Sequence, residues 1–566
     1  MKKYKIFLVA FASLLMFGGC YDLDRYPSDQ LSSGTFFKTQ DHADQAMMAV
    51  YSAMQYWDIF GRQFGFDCLG AIGMGYDAPA YPSIQRGTYT TSESAVSDKF
   101  KYLYEGISRA NVVLQNLDGI DMSDELKTRY RAEARFMRGL FYFVLLDYWG
   151  GVPIYDESLV VAEDFSNMLS PRSSADEVRD FIIKDLDAAI SALPSEWDQS
   201  NYGRATSGAA MALKGKVYLY NKQYNDAATC FESVTNSGKY ALYSDYENLF
   251  KPGGDESSEM IFAMQAKGGI GTSFGIPTTF FMGTRSSYGS CWNNVMAATE
   301  FVDSYEYVDG RPFNWDEVIP GFTTSTDIKD KTFRATLSED QTTVVAYPEA
   351  KDKLLEMYEK RDPRMAISVI LPYTMYKGSV GNVNKDCEYV IATGVNEANG
   401  FIRVNQNYET YVWRKFVAEY DMDGEISDRR DTPINFPIIR YADVLLMLAE
   451  CYNETGKLAD AVGLVNQVRS RVGMPGLNSG PEWLKVNTKD EMFRRIKHER
   501  EVELAAEGHS FSDMRRWGIL EETARDVVGL TGKVYYQRVV RERDYLWPIP
   551  QTEMDRNSNL VQNTGW

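Results

Sequence analysis

The sequence predicts a mostly α-helical protein. Its frame is a set of tetratricopeptide-like helical hairpins, about four pairs, with an inserted irregular loop-rich lobe that contains short β-strands. Three observations carry this. Apolar residues recur with a helical period in long blocks toward both ends of the chain. Two of those blocks place small and aromatic residues at the spacing of a helix–turn–helix repeat. Between about residues 240 and 435 the period fades, and Gly, Thr, Ser, Asn and Asp become frequent.

The first element is a leader. Lys2, Lys3 and Lys5 precede a short apolar run, Ile6 to Phe17, followed by Gly18, Gly19 and Cys20. That run is too short for a bilayer, which takes roughly 20 apolar residues. Residues 1–19 read as a secretory signal, and the two small residues before Cys20 resemble a bacterial lipobox, which implies cleavage before Cys20 and its lipidation. Phe17 stands where Leu is usual. With an ordinary signal peptide, Cys20 would instead lie in or near the cut. Loss of the leader removes three lysines and no acid, taking the net charge from −19 to −22. The acidic Tyr21-Asp22-Leu23-Asp24 stretch resembles the surface-export signal of Bacteroidota lipoproteins. Residues 20–566 are expected to form a single domain, with scaffold over about 41–240 and 436–520 and lobe over about 241–435.

Four helical blocks follow: about Asp41 to Tyr56, Lys99 to Leu117, Asp124 to Trp149, and a helix that starts after Ser173-Ser174-Ala175-Asp176 and runs to about Leu193. Gly150-Gly151-Val152-Pro153 stops the third, as Gly and Pro do just past a helix. Two hairpins have sharper content. Gly215, Tyr218, Ala227 and Phe231 fit the repeat spacing, and so do Leu445, Leu448, Ala449, Tyr452 and Ala461, with Gly456 in the turn. The small residue lets paired helices approach and the aromatic fills the seam. Because the hairpins (41–117, 124–193, 207–238, 440–471) are scattered, a simple solenoid is not expected. In the lobe, Gly268 to Thr272 and Gly378 to Asn382 read as loops, while Met260 to Ala263 and Tyr411 to Trp413 read as strands.

Composition narrows the chemistry. With 60 Lys and Arg against 79 Asp and Glu, the chain is a poor nucleic-acid binder. Beyond Cys20 the cysteines are Cys68, Cys230, Cys291, Cys387 and Cys451, with no CxxC pair, so zinc ribbons and thioredoxin-type chemistry are unsupported. They read as small buried hydrophobes with at most a pair or two bridged. His42, His498 and His509 are the only histidines. His498 lies in a charged stretch, Lys497 to Glu501, that reads as a solvated helix face. An EF-hand around Asp421, Asp423 and Gly424 fails because Arg430 stands where a bidentate Glu is needed; the stretch reads as an acidic surface turn. No metal, cofactor or catalytic residue is expected.

Several blocks then resemble one family. They are Arg131 to Gly139 continuing through Asp147 to Pro153; Ala209 to Tyr220 with Tyr224 to Ala228; Arg440 to Glu450; Glu499 to His509 with Asp513 to Gly518; and Leu546 to Gln551 with Gln562 to Trp566. In that order, across the whole chain, they resemble the SusD/RagB family of outer-membrane nutrient-binding lipoproteins. The resemblance implies a tetratricopeptide-like scaffold with an irregular lobe and a surface lipoprotein held by lipid on Cys20. It also implies a protein that lids a SusC-like TonB-dependent transporter and passes it oligosaccharides without catalysis. The blocks themselves read as structural, with Arg135 paired to Glu133 or Glu507 and with Trp149 and Trp517 holding helices together.

No ligand residue transfers from the resemblance, so candidates come from chemistry. Sugar rings need flat aromatic faces, and their hydroxyls need Asp, Asn or Arg. The segment Asp67 to Tyr89 offers Tyr76, Asp77, Tyr81 and Arg86, and the segment Arg285 to Asn294 offers Tyr288, Trp292, Asn293 and Asn294. Trp292 leads, and Asp67, Trp57 and Trp315 are weaker candidates. The same aromatics would equally suit the lobe's own small core. Four functions stay open: glycan capture, the same fold binding peptides or another nutrient, a two-carboxylate glycoside hydrolase, and a protein-binding scaffold.

Overall fold

The computed structural model of the chain describes residues 36–566 apart from 161–163, 165–167 and 270–273. The leader and Cys20 lie outside the described residues, as does most of the glycine-rich loop at 268–272. Among the described residues, no helix is long and apolar enough to cross a membrane.

The scaffold helices are α1 (Gln40–Ser52), α2 (Ser94–Asn116), α3 (Asp124–Trp149), α4 (Ala175–Ala192), α5 (Ser207–Tyr220), α6 (Tyr224–Asn236), α7 (Tyr441–Glu454), α8 (Leu458–Arg471), α9 (Lys489–Glu503) and α10 (Ser510–Trp517). Their starts follow from caps. Ser123 accepts from Leu126 N, Ser174 and Glu177 form a capping box, and Thr206 accepts from Ala209 N. The third block begins and ends as expected, and Gly150, at φ 71°, closes it. The first ends earlier than expected. Ala53–Gln55 tightens to a 3₁₀ turn, and Trp57–Gly61 forms a single π turn.

In the α5–α6 hairpin a Cβ at Gly215 would lie 2.6 Å from the Phe231 ring, so only glycine admits this approach. The expectation of scattered hairpins needs amending. Although about 200 residues separate α6 from α7 in sequence, α6 packs directly on α7, and Tyr452 donates to Glu232 at 2.8 Å. The row of helices therefore continues across the insertion.

The lobe is stitched by small two-stranded sheets. The strands used below are β1 (Gly73–Gly75), β2 (Met260–Met264), β3 (Val295–Ala297), β4 (Met375–Val380), β5 (Val383–Glu388) and β6 (Phe436–Arg440). β2 and β6 pair antiparallel where the lobe leaves and rejoins the scaffold, with Met264 opposite Phe436. The expected loop at Gly378 to Asn382 is mostly strand. β4 and β5 form a hairpin, and only Gly381 and Asn382 make its turn.

A buried ionic seam joins lobe to scaffold. Arg440, at the end of β6, donates to Glu259, Glu503 and Glu507 at 2.7–2.8 Å. Arg364 reaches Asp362, Glu499 and Glu503, Arg469 reaches Glu306 and Glu499, and Lys415 reaches Glu507. The stretch at 497–501 is thus not a solvated face. Glu499 and Arg500 are buried, the first in this seam and the second between Asp443 and Asp513. The expected partners of Arg135 also change. Arg135 lies 3.7 Å from Glu157 and 3.9 Å from Asp185, while Glu133 takes Arg129 and Arg204. Trp149 and Trp517 do tie elements together, donating to Pro548 O and to Glu450. Cys68, Cys230, Cys291, Cys387 and Cys451 are buried and unbridged.

Candidate functional site

The antiparallel pairing of β1 with β3 (Gly73 opposite Ala297) brings the two candidate segments together. Tyr76 N donates to Asn294 O at 3.0 Å, Tyr76 Oη donates to Trp292 O, and Asn294 Nδ2 lies 3.4 Å from Asp77 Oδ2. The Trp292 turn is pinned from behind. Cys291 N, Trp292 N and Asn293 N donate to the carbonyls of Thr284, Phe280 and Gly283 at 2.8–3.0 Å. Asn293 takes a positive φ of 39°, and Trp292 beside it is 39% exposed.

Trp292 ends a chain of four rings. It packs on Phe280 at 5.1 Å between centroids, Phe280 on Phe281 at 4.7 Å, and Phe281 edge-on against Trp57 at 5.3 Å. Trp57, 42% exposed, sits on the π turn. Beside it opens a cleft of about 460 Å³ lined by Gln55, Trp57, Ile276, Asp428, Arg430 and Asp431. Arg429 and Arg430 lie 4.8 and 5.3 Å from the Phe280 ring, and Arg429 also donates to Gly289 O and Ser290 O. Two exposed indoles flank an apolar bridge, with carboxylates, guanidinia and an amide around it. That arrangement suits a ligand with apolar ring faces and hydroxyl edges.

A second run of rings adjoins the first through Tyr76. Tyr76 stacks on Tyr408 at 5.3 Å with planes 9° apart, and Tyr408 contacts Tyr535 at 4.4 Å. Burial pushes the Tyr76 hydroxyl up to about 12, and Asn405 donates to that oxygen at 2.8 Å. Asp77 and Arg86 are exposed here, with the Arg86 guanidinium 5.2 Å from the Tyr536 ring.

Not every expected residue faces solvent. Asp67 is fully buried, accepts from Gly508 N at 3.1 Å and leaves Oδ1 without a partner; burial pushes its carboxyl up to about 8. Tyr81 is buried and stacked on Phe66, and Asn293 is buried, accepting from Asn405 N at 2.8 Å. Tyr76 and Asn294 are buried as well, at 8% and 1% exposure, so these five residues support the site from within. Trp315 belongs to the core with Phe322 and Phe333. Tyr288 is half-buried. Phe280, Phe281 and the arginines at 429 and 430 escaped the sequence reading. The Phe-Phe pair twelve residues before Trp292 and the dense charges of Asp428 to Asp431 were the available signals. Nothing in the sequence links Tyr408 or Tyr535 to Tyr76.

Residues 258–566 match the family model described as "SusD family", and residues 23–219 match one described as "Starch-binding associating with outer membrane". A SusD-like protein of Formosa agariphila is 25% identical over 96% of this chain and 94% of its own length. Among solved structures, a SusD-like protein of Bacteroides fragilis superposes with a TM-score of 0.75 at 24% identity, covering 96% of this chain and all of its own. Surface glycan-binding protein A of Bacteroides thetaiotaomicron, solved with laminarihexaose, superposes with a TM-score of 0.63 at 19% identity, covering 93% of this chain and all of its own.

Proposed function

The chain belongs to the SusD family, and from that premise we propose that it is a glycan-capturing lipoprotein of the outer-membrane surface. In this reading a lipid on Cys20 anchors it, and it delivers oligosaccharides to a SusC-like TonB-dependent transporter without hydrolysing them. The observation that carries the reading is the pair of exposed indoles, Trp57 and Trp292, joined by Phe280 and Phe281 beside the charged cleft. Pyranose rings present an apolar CH face to such indoles and point hydroxyls outward. Asp428, Arg430, Asp431 and Gln55 then meet the hydroxyls as planar donors and acceptors. The matched description of starch binding at the outer membrane supports the same ligand class, and laminarihexaose is held by a protein of the same fold. The exposed Asp77 and Arg86 extend the site along the β1–β3 side, while Tyr76 is buried.

The test is affinity electrophoresis of the soluble form starting at Asp22 against a panel of polysaccharides. One glycan class is expected to retard it. Trp292→Ala and Trp57→Ala are each expected to weaken binding roughly 30-fold, equivalent to about 2 kcal/mol of stacking and burial. Retardation unchanged in both variants would leave glycan capture standing and remove this site. A folded protein that no glycan retards would overturn glycan capture and point to a peptide ligand.

A further inference from the structure

We infer that a second site, for a neutral oligosaccharide, lies in the cleft between the α4–α5 loop and the turn that leads into β2. It rests on the reading of the chain as a glycan-capturing protein but uses different residues. Met264 of β2 lines the cleft beside Trp57, while its neighbours Ala263 and Gln265 line this second one. The second cleft holds about 200 Å³ and adjoins another space of about 240 Å³, with Ser195, Lys239 and Tyr240 bordering both.

Three half-buried aromatics line it, Trp197, Tyr202 and Tyr240. Each is fixed by its polar end. Trp197 Nε1 donates to Ala205 O at 2.9 Å, and Tyr202 Oη donates to Asp255 O at 2.7 Å. Tyr240 Oη lies 3.1 Å from Thr206 Oγ1, the cap of α5. A Cβ at Gly208 would stand 2.2 Å from that same Oη, so the helix carries glycine where the ring leans on it. These rings are therefore held in place before any ligand arrives.

The electrostatics decide the ligand class. Lys239 pairs with Glu196 at 2.8 Å, Arg204 shares Glu133 with Arg129, whose guanidinium lies 4.5 Å from the Trp197 ring, and Glu256 accepts from Gln199 at 2.9 Å. Set against Glu196, Glu133 and Glu256, these three cations leave the cleft no surplus positive charge for a phosphate or uronate. It does offer hydroxyl-sized polar groups beside the rings. Ser195, Ser258 and Gln265 line it, next to Ser257, with accessible hydroxyls and an amide. Aromatic walls, such polar groups and a balanced rim fit a neutral sugar.

The experiment is equilibrium dialysis of the soluble form at saturating malto-, laminari-, cello-, xylo- and mannohexaose, with oligogalacturonate as the charged control. The protein is expected to take up two molecules of one neutral hexaose per chain. It should take up one after Trp57→Ala with Trp292→Ala, and one after Ser257→Phe, which fills the second cleft without removing its aromatics. Tyr240→Ala, checked for folding by circular dichroism, should match Ser257→Phe. One molecule per chain in the unaltered protein, unchanged by Ser257→Phe and lost with the two tryptophans, would overturn this site and leave the proposed function intact. Uptake that oligogalacturonate matches and Ser257→Phe removes would overturn the neutral class. Absence of uptake for every hexaose would overturn both readings.

Discussion

Lys99 Nζ donates at 2.9 Å to the carbonyl oxygen of Ile59, and also lies 3.2 Å from that of Asp58. Both carbonyls belong to the π turn that carries Trp57. A single π turn leaves carbonyls without helical partners, and here a buried ammonium on α2 serves them. Asp58 on the turn, Arg62 just after it, Asp147 on α3 and Arg515 on α10 face the same ammonium.

That burial gives the first prediction. It lowers Lys99 from its ordinary value of 10.5 to about 7. Between those values the unfolded chain holds the proton and the folded chain has released it, so raising the pH favours folding. Stability of the unaltered protein relative to Lys99→Met should therefore widen from pH 7 to pH 9, read as the difference between their urea midpoints. A gap that is constant with pH would refute this placement of the lysine.

Asp67 has the opposite sign. Its carboxyl rises from 3.8 to about 8, because burial disfavours the charge. Between those values the folded chain keeps the proton that the unfolded chain has lost, so raising the pH disfavours folding. Asp67→Asn should match the unaltered protein at pH 4 and exceed it at pH 8 by about 1–3 kcal/mol. Equal unfolding midpoints at pH 8 would count against it.

Arg440 holds three buried carboxylates across the lobe–scaffold seam. Removing one side of such a group leaves uncompensated charge, at a cost of about 3–5 kcal/mol. Arg440→Met should lower the urea midpoint accordingly. Arg440→Lys should recover only part of the loss, because an ammonium cannot reproduce the fork. Full recovery would mean that charge alone, not geometry, matters at the seam.

At the α5–α6 seam, Gly215→Ala puts a methyl against the Phe231 ring. Overpacking of that kind costs about 1–3 kcal/mol, measurable as a fall in thermal midpoint. A stable Gly215→Ala protein would show that the hairpin can open to receive it.

Much of the frame was legible because helices announce themselves locally. The period, Ser123 and Gly150 bracket Asp124 to Trp149, and Gly215 with Phe231 marks a seam within one hairpin. The seam of ions was not legible, since Arg440 and Glu259 stand 181 positions apart and each alone reads as a surface charge. The site divides the same way. A Trp in a non-periodic loop drew attention to Trp292, but only the β1–β3 pairing decides that Tyr76 lies beside it and that Asp67 and Tyr81 turn inward. The Gly378 to Asn382 stretch misled because glycine and serine in a hairpin look like a loop until the partner strand is known.

Trp547 has an implication for the timing of folding. Its fully buried indole packs against Phe66, Tyr148, Trp149 and Phe511, and the next carbonyl, Pro548 O, accepts from the Trp149 indole 399 positions earlier. The helices made first thus lack a keystone until nearly the whole chain has left the ribosome. Closing a loop of that length is slow. The core around Trp149 is therefore complete only once segments from the two halves of the chain have met.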